Sequence, residues 1–382
     1  MRLFVVAGEP SGDALGAALL DGLRSIAPGT VAEGVAGPRM ISAGARTLFP
    51  MDVLSVMGLV EVLPRYPALR RRMIETADAA IASGADALVT IDSPDFSLRV
   101  AARVRAARPD LPVIHYVAPS VWAWRPGRAA KMARHVDHVL ALLPFEPPFM
   151  EAAGMTCDFV GHPAAAEPRA SAEEVALFRK VNGIEGEMLL VLPGSRRGEI
   201  ARLSPTFGVA AALLLRARRG MTAVVPVAPG RMAELREQVA GWTFRPVLAD
   251  TSDPETRRAA FASGTGALAA SGTVSLDLAR EGVPMAIGYD VNPLTRMVMS
   301  RLIRTDTVTL VNLVSDTRAV PEFVGRGFGA PQMAAALAGV LKAPEPQRAA
   351  MRLTMERLGA NGESPGLRAA RSVLAAVERL SG

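Results

Sequence analysis

Short apolar runs, each ending in a glycine-, proline- or polar-rich turn and followed by a segment of helical spacing, recur along most of the chain. That rhythm constrains the fold more than any other feature. It predicts βα units and parallel sheets, whose strands are covered on both faces and so read as unbroken apolar runs. A first strand is predicted over Leu3 to Ala7, a helix over Ala14 to Ile26 and a second strand over Val31 to Val35. Further strands are predicted at Ala87 to Ile91, Val113 to Val117 and Val136 to Leu143, and Val160-Gly161-His162-Pro163 closes this first series. The polar stretch from Ala164 to Gly186 reads as an interdomain region. A second series begins at Met188 to Leu192. It continues through a helix around Phe207 to Arg218 and strands at Thr222 to Val227, Ala267 to Ala270 and Met285 to Tyr289. From about Ala330 to Leu380 the chain is rich in alanine and leucine at helical spacing. The expectation is an α/β protein with two Rossmann-like domains, residues 1–165 and 166–330, facing across a cleft. A helical tail, 331–382, either returns to the first domain or is exchanged between two subunits of a homodimer.

A chain of 382 residues suits two such domains, each with its own core. Half of it is hydrophobic but only 5% is aromatic, so the cores must be built from Ala, Val, Leu, Ile and Met. The formal net charge is +6, and the basic residues are nearly all arginine, with lysine only at Lys131, Lys180 and Lys342. Arginine presents a planar fork of donors that matches phosphate. On charge alone, phosphorylated ligands, nucleic acid and anionic lipid all stay open. Aromatic residues are not interleaved with basic ones on a strand, which argues against an RNA-binding sheet. Cys157 is the single cysteine, so no intramolecular disulfide forms, and it reads as a small buried apolar residue. The four histidines, His115, His135, His138 and His162, show no zinc pattern, and no metal site is expected. No apolar run reaches the roughly 18 residues needed to cross a bilayer. The N-terminus runs straight into the first strand, too short for a signal peptide. The expectation is a cytoplasmic protein whose membrane contact, if any, is at the surface.

Six segments carry candidate chemistry. Gly8-Glu9-Pro10-Ser11-Gly12-Asp13 follows the first strand; its glycines allow close backbone approach to a ligand, and Ser11 or Asp13 caps the next helix. Ile91-Asp92-Ser93-Pro94-Asp95-Phe96 sets two carboxylates at a strand end, where one can take a proton from a sugar hydroxyl. Asp92 lies nearer the strand and Asp95 suits a helix cap. His115 to Arg125 holds Trp122 and Trp124 beside Arg125, aromatic faces for a sugar or base next to a phosphate donor. Pro193-Gly194-Ser195-Arg196-Arg197 gathers glycine, serine and arginines at a strand-to-helix turn, suited to a diphosphate. Ser271-Gly272-Thr273 opens a helix that bears Asp277, offering N–H groups and hydroxyls to a phosphate and a carboxylate to a ribose. Finally, Met57, Leu59, Val60, Val62 and Leu63 precede Arg65, Arg70, Arg71 and Arg72, a pattern for acyl chains below and anionic headgroups above.

Together these segments resemble the lipid-A-disaccharide synthases, bacterial glycosyltransferases with the GT-B fold. The resemblance runs in order from residue 3 to about 323. It also takes in Val35-Ala36-Gly37-Pro38-Arg39-Met40, Leu142-Leu143-Pro144-Phe145-Glu146, Phe159-Val160-Gly161-His162-Pro163, Val311-Asn312-Leu313 and Pro321-Glu322-Phe323. It implies a metal-independent, cofactor-free inverting transfer of 2,3-diacylglucosamine from UDP to 2,3-diacylglucosamine 1-phosphate at the inner membrane. It further implies Asp92 as general base and Arg196 as the group that stabilises departing UDP. Ser11, Gly12, Ser195, Ser271, Gly272, Thr273, Asp277 and Asn312 would contact the sugar nucleotide or substrate. Asp277 departs from the glutamate usual in that family. The rival within the same fold is a UDP-N-acetylglucosamine 2-epimerase or another UDP-sugar enzyme, which has no need of the apolar, arginine-rich segment.

Overall fold

The structure is a computed structural model that describes residues 1–54, 59–123, 127–290 and 305–381; the side chains of residues 59–65, 326 and 381 lie outside it. The chain forms two compact units. The first comprises Met1–Ala166 and Asn361–Gly382, the second Glu167–Ala360.

The first unit opens with β1 (Arg2–Ala7), α1 (Pro10–Ile26), β2 (Val31–Val35), α2 (Pro38–Ser42), β3 (Arg46–Thr47) and α3 (Leu59–Ala82). It continues with β4 (Ala87–Ile91), α4 (Pro94–Ala107), β5 (Val113–Tyr116), α5 (Gly127–Met132), β6 (His138–Ala141), α6 (Pro147–Glu151), β7 (Thr156–Phe159) and α7 (Pro163–Ala166). The second unit runs α8 (Ala172–Val181), β8 (Met188–Leu192), α9 (Arg197–Ala217), β9 (Thr222–Val227), α10 (Met232–Val239), β10 (Val247–Asp250), α11 (Pro254–Ala262), β11 (Gly266–Ala270) and α12 (Val274–Glu281). Then come β12 (Met285–Tyr289), α13 (Leu310–Ser315), β13 (Glu322–Val324), α14 (Ala330–Lys342) and α15 (Glu345–Arg357), before α16 (Pro365–Ser381) packs on α1 in the first unit.

The strand orders decide where ligands can bind. The first sheet is β3-β2-β1-β4-β5-β6-β7 and the second β10-β9-β8-β11-β12-β13, with parallel pairing throughout. Each is a doubly wound sheet that reverses direction once, between β1 and β4 and between β8 and β11. At that reversal the two neighbouring turns diverge to opposite faces and leave a crevice at the carboxyl ends of the strands. Central strands are buried end to end, as in Ala87–Ile91 and Met188–Leu192, because helices cover both faces. Small residues dominate these cores: Ala7, Ala32, Ala36, Ala369 and Ala376 pack with Leu19, Leu23 and Val373 between the first sheet and α1 and α16. The last helix is also pinned by polar bonds. His138 Nε2 meets Ser372 Oγ at 2.8 Å, and Ser372 Oγ donates to Asp158 at 2.6 Å.

Three expectations change. The first helix begins at Pro10, four residues before its apolar spacing does, because proline's fixed φ suits the first helical position. The polar stretch after Ala164 contains α8, started by a reciprocal capping box between Ser171 and Glu174 and anchored through buried Phe178. One helix, Arg197–Ala217, is by length and composition apolar enough to cross a membrane. Here its Ile200, Leu203, Phe207, Ala211 and Leu214 are buried in the second unit's core.

Candidate active site

The turn after β1 and the turn after β4 flank the reversal of the first sheet. They meet where Ser11 Oγ donates to Asp92 Oδ2 at 3.1 Å. The backbone carries Asp92 and Ser93 at φ 52° and 45°, both in the left-handed region, and the neighbouring strand end has Val117 at φ 86°. Left-handed conformations in non-glycine residues cost on the order of 1–3 kcal/mol each and cluster at functional sites. The turn is fixed from several sides. Asp92 N donates to Tyr116 O at 2.9 Å, Ser93 N to Asp92 Oδ1 at 2.8 Å, and Val117 N to Leu140 O at 3.0 Å. Ser93, not Asp95, is the N-cap residue of α4, and its side chain makes no capping bond. Asp95 therefore stays exposed on the first turn rather than capping it.

Asp13 is not a cap of its own helix. Its carboxylate accepts from Arg39 N and Met40 N, both at 2.9 Å, and so holds the start of α2. Gly37 allows this, since a Cβ there would lie 2.5 Å from the Asp13 carboxyl carbon. The Gly8–Asp13 and Val35–Met40 segments are thus one structural unit. Behind the turns, buried His115 contacts Thr90 Oγ1 through Nδ1 at 2.8 Å, and burial lowers its pKa to about 4, keeping the ring neutral.

A pocket of about 270 Å³ opens beside the Asp92 turn, lined by Gly8, Glu9, Ser93 and Asp95 and by apolar side chains of α3 and α4. Arg70 lines it. Arg71 is exposed, whereas Arg72 stacks 4.7 Å over the Phe49 ring and bonds Glu75 at 2.8 Å, so Arg72 serves packing rather than a free basic face. Met57, Trp124 and Arg125 lie outside the described residues, as do the side chains of Leu59, Val60, Val62, Leu63 and Arg65. Trp122 is not an open stacking face: its Nε1 donates to Glu146 Oε1 at 3.3 Å and its ring meets Phe145 edge-on at 5.2 Å. Glu146 is buried, also accepts from Leu143 N at 3.0 Å, and has its pKa pushed up by burial to about 7.

In the second unit the corresponding pair of turns follows β8 and β11. Gly194 at φ 111° leads into exposed Ser195 and Arg196, and Arg196 is the N-cap residue of α9. The Arg196 side chain is 68% exposed and bonds Glu199 Oε1 at 3.2 Å, while Tyr289 donates to the same oxygen at 3.4 Å. Glu199 and Tyr289 escaped the sequence reading, although Glu199 stands one helical turn after Arg196 in a charged run. Across the reversal, Gly272 at φ 151° and Thr273 are exposed at the start of α12, and Ser271 Oγ points to Val308 O at 3.5 Å.

Two expected ligand contacts are otherwise engaged. Asp277 is buried and bonds Arg257 Nη2 at 2.5 Å, with Arg280 at 3.7 Å. Burial raises its carboxyl pKa against the pull of both arginines. An aspartate this short sits within reach of both guanidinium groups. Asn312 is 1% exposed, and its amide is committed to Val320 N and O and to Glu322 Oε1. Glu322 also accepts from Thr307 Oγ1, Val308 N and Thr309 N. Asn312 and Glu322 therefore brace the 307–309 loop that faces Ser271.

With this geometry in place, comparison with known proteins decides the family. The lipid-A-disaccharide synthetase family model matches residues 3–375. The chain belongs to that family. Lipid-A-disaccharide synthases of Ruegeria pomeroyi and Rhodospirillum centenum are 55% and 43% identical to it, covering 100% and 98% of this chain and 96% and 94% of theirs. Among solved structures, the UDP-GlcNAc 2-epimerase of Neisseria meningitidis bound to UDP-GlcNAc superposes with TM-score 0.65 at 11% identity, covering 99% of this chain and all of its own. The calicheamicin glycosyltransferase CalG4 does so with TM-score 0.58 at 16% identity, covering 100% and 99%. These two show the shared GT-B fold. As a family member the chain is a glycosyltransferase of lipid A biosynthesis. It transfers 2,3-diacylglucosamine from UDP to 2,3-diacylglucosamine 1-phosphate, forming a β-1,6 disaccharide and UDP.

Proposed function

We propose that the transfer runs with Asp92 as general base and Arg196 as the cation that stabilises the leaving diphosphate. The observation that carries this reading is the Asp92 turn itself: a carboxylate at the sheet reversal, on a left-handed backbone, already bonded to a hydroxyl on Ser11. The acceptor's 6-hydroxyl attacks the anomeric carbon, its proton passes to an Asp92 carboxylate oxygen, and the C1–O bond to UDP breaks with its electron pair leaving on the diphosphate. An α-linked donor then gives a β product in one displacement. A positioned base contributes roughly 10²–10⁴-fold. On the donor side, Ser195, Ser271, Gly272 and Thr273 bind phosphate oxygens through hydroxyls and helix-start N–H groups. Arg196 leaves Glu199 for the diphosphate as charge grows there.

The enzyme works peripherally on the cytoplasmic face of the inner membrane, as a monomer or homodimer. Exposed Arg71, with Arg65, supplies attraction to anionic headgroups of about 1 kcal/mol per residue. The test of the chemistry is Asp92→Asn assayed for disaccharide formation, with thermal melting as the folding control. Full activity in a folded variant removes Asp92 from the mechanism.

A further inference from the structure

The pocket beside the Asp92 turn sets four charged side chains into an otherwise apolar wall. Leu54, Leu69, Met73 and Phe96 supply hydrocarbon, Arg70 and Arg99 supply guanidinium groups, and Glu9 and Asp95 supply carboxylates. A plain hydrocarbon chain has no use for four charges, and a free phosphate has none for two carboxylates. A ligand with acyl chains and one strongly anionic group matches the hydrocarbon and the guanidinium groups together. Neighbouring arginines on the same two helices are committed elsewhere. Arg72 is bonded to Glu75 and Arg103 to Asp78. Among the described residues neither Arg70 nor Arg99 has a carboxylate partner, and Arg99 Nη1 reaches the Tyr66 hydroxyl at a long 3.4 Å. Such arginines are ready donors of charge-assisted bonds to a phosphate.

We propose that Arg99, seconded by Arg70, holds the 1-phosphate of the acylated acceptor in this pocket and makes that phosphate a condition of acceptor recognition. The inference rests on the transfer reading above, which supplies the acceptor's chemistry. Ser93 belongs both to the pocket and to the Asp92 turn. A sugar anchored through its phosphate at the arginine wall is therefore fixed beside the carboxylate that takes its hydroxyl proton.

The test uses the full-length enzyme in neutral detergent micelles and two acceptors, the acylated 1-phosphate and the same sugar without phosphate. The phosphate-free sugar is assayed as a competitive inhibitor where its turnover is too slow. Arg99→Gln should raise the KM for the phosphorylated acceptor about tenfold, the loss of one charge-assisted bond. Affinity for the phosphate-free sugar, donor KM and kcat at saturating acceptor should change less than about twofold on the same scale. Arg99→Lys should recover part of the loss. Equal effects on both acceptors, or none on either, overturn the proposal. So does a variant that keeps phosphate discrimination but loses binding to anionic phospholipid vesicles, since Arg99 would then be reading membrane headgroups. If the unsubstituted enzyme forms no disaccharide, the transfer reading itself has failed. If it does and Arg99→Gln behaves identically, only the phosphate assignment has.

Discussion

The two sheet reversals do their work with different backbones. At the first unit's reversal the left-handed positions are Asp92 and Ser93; at the second unit's they are Gly194 and Gly272. On the proposed mechanism a base must put one side chain at one place, which fits strain in residues that have side chains. On the same proposal a diphosphate is held largely by backbone N–H groups, which fits glycines that let the chain approach closely. The proposed mechanism thus assigns side-chain chemistry to one reversal and backbone binding to the other.

If that division is right, the largest effect belongs to Asp92. Asp92→Asn should lower kcat by roughly two to four orders of magnitude without a matching change in donor KM. Arg196→Ala comes next, with a loss of about 10²–10³-fold as expected for one donor to a developing anion, accompanied by weaker UDP binding. Normal kinetics in that variant would move the leaving-group role elsewhere. Gly194→Ala probes the backbone side of the comparison. The new Cβ would sit at φ 111° and 2.9 Å from the Glu199 Cβ, so denaturant titration should show about 1–3 kcal/mol lost. An unaffected midpoint would mean the turn does not need glycine.

The smallest effect is a pH slope. Burial raises Glu146 from the ordinary carboxyl range to about 7. Between roughly pH 4.5 and 7 the folded state therefore binds more protons here than the unfolded state, and this group's contribution to stability falls as pH rises. Relative to the unsubstituted protein, Glu146→Gln should gain on the order of 1–2 kcal/mol in unfolding free energy on going from pH 5 to pH 8. A parallel pH profile would show that Glu146 stays ionised throughout. His115 acts oppositely: its pKa of about 4 lies below the unfolded value, so stability is lost as pH falls from about 6.5 toward 4.

The central strands were legible because burial on both faces leaves an unbroken apolar run. Val31–Val35, Ala87–Ile91, Met188–Leu192 and Thr222–Val227 have the bounds expected of them. The strands that escaped, β3, β7, β10 and β13, are the four sheet edges. An edge strand is covered less completely, and Thr156–Phe159 and Val247–Asp250 mix polar and apolar residues accordingly. The motifs were visible, but the strand order that brings Ser11 to Asp92 was not, because it depends on pairings some 80 residues apart, as between β1 and β4. The same holds for the Asp13 bonds to α2 and for the arginines that claim Asp277. Each depends on a neighbour that no local pattern names.

The most direct measurement is mass spectrometry of the products formed from both acylated sugars, with UDP counted in the same samples. The account predicts one UDP per β-1,6 disaccharide 1-phosphate from the unsubstituted enzyme, and both products falling together in the Asp92→Asn and Arg196→Ala variants. UDP released without disaccharide, or a disaccharide yield that survives both substitutions, would contradict it.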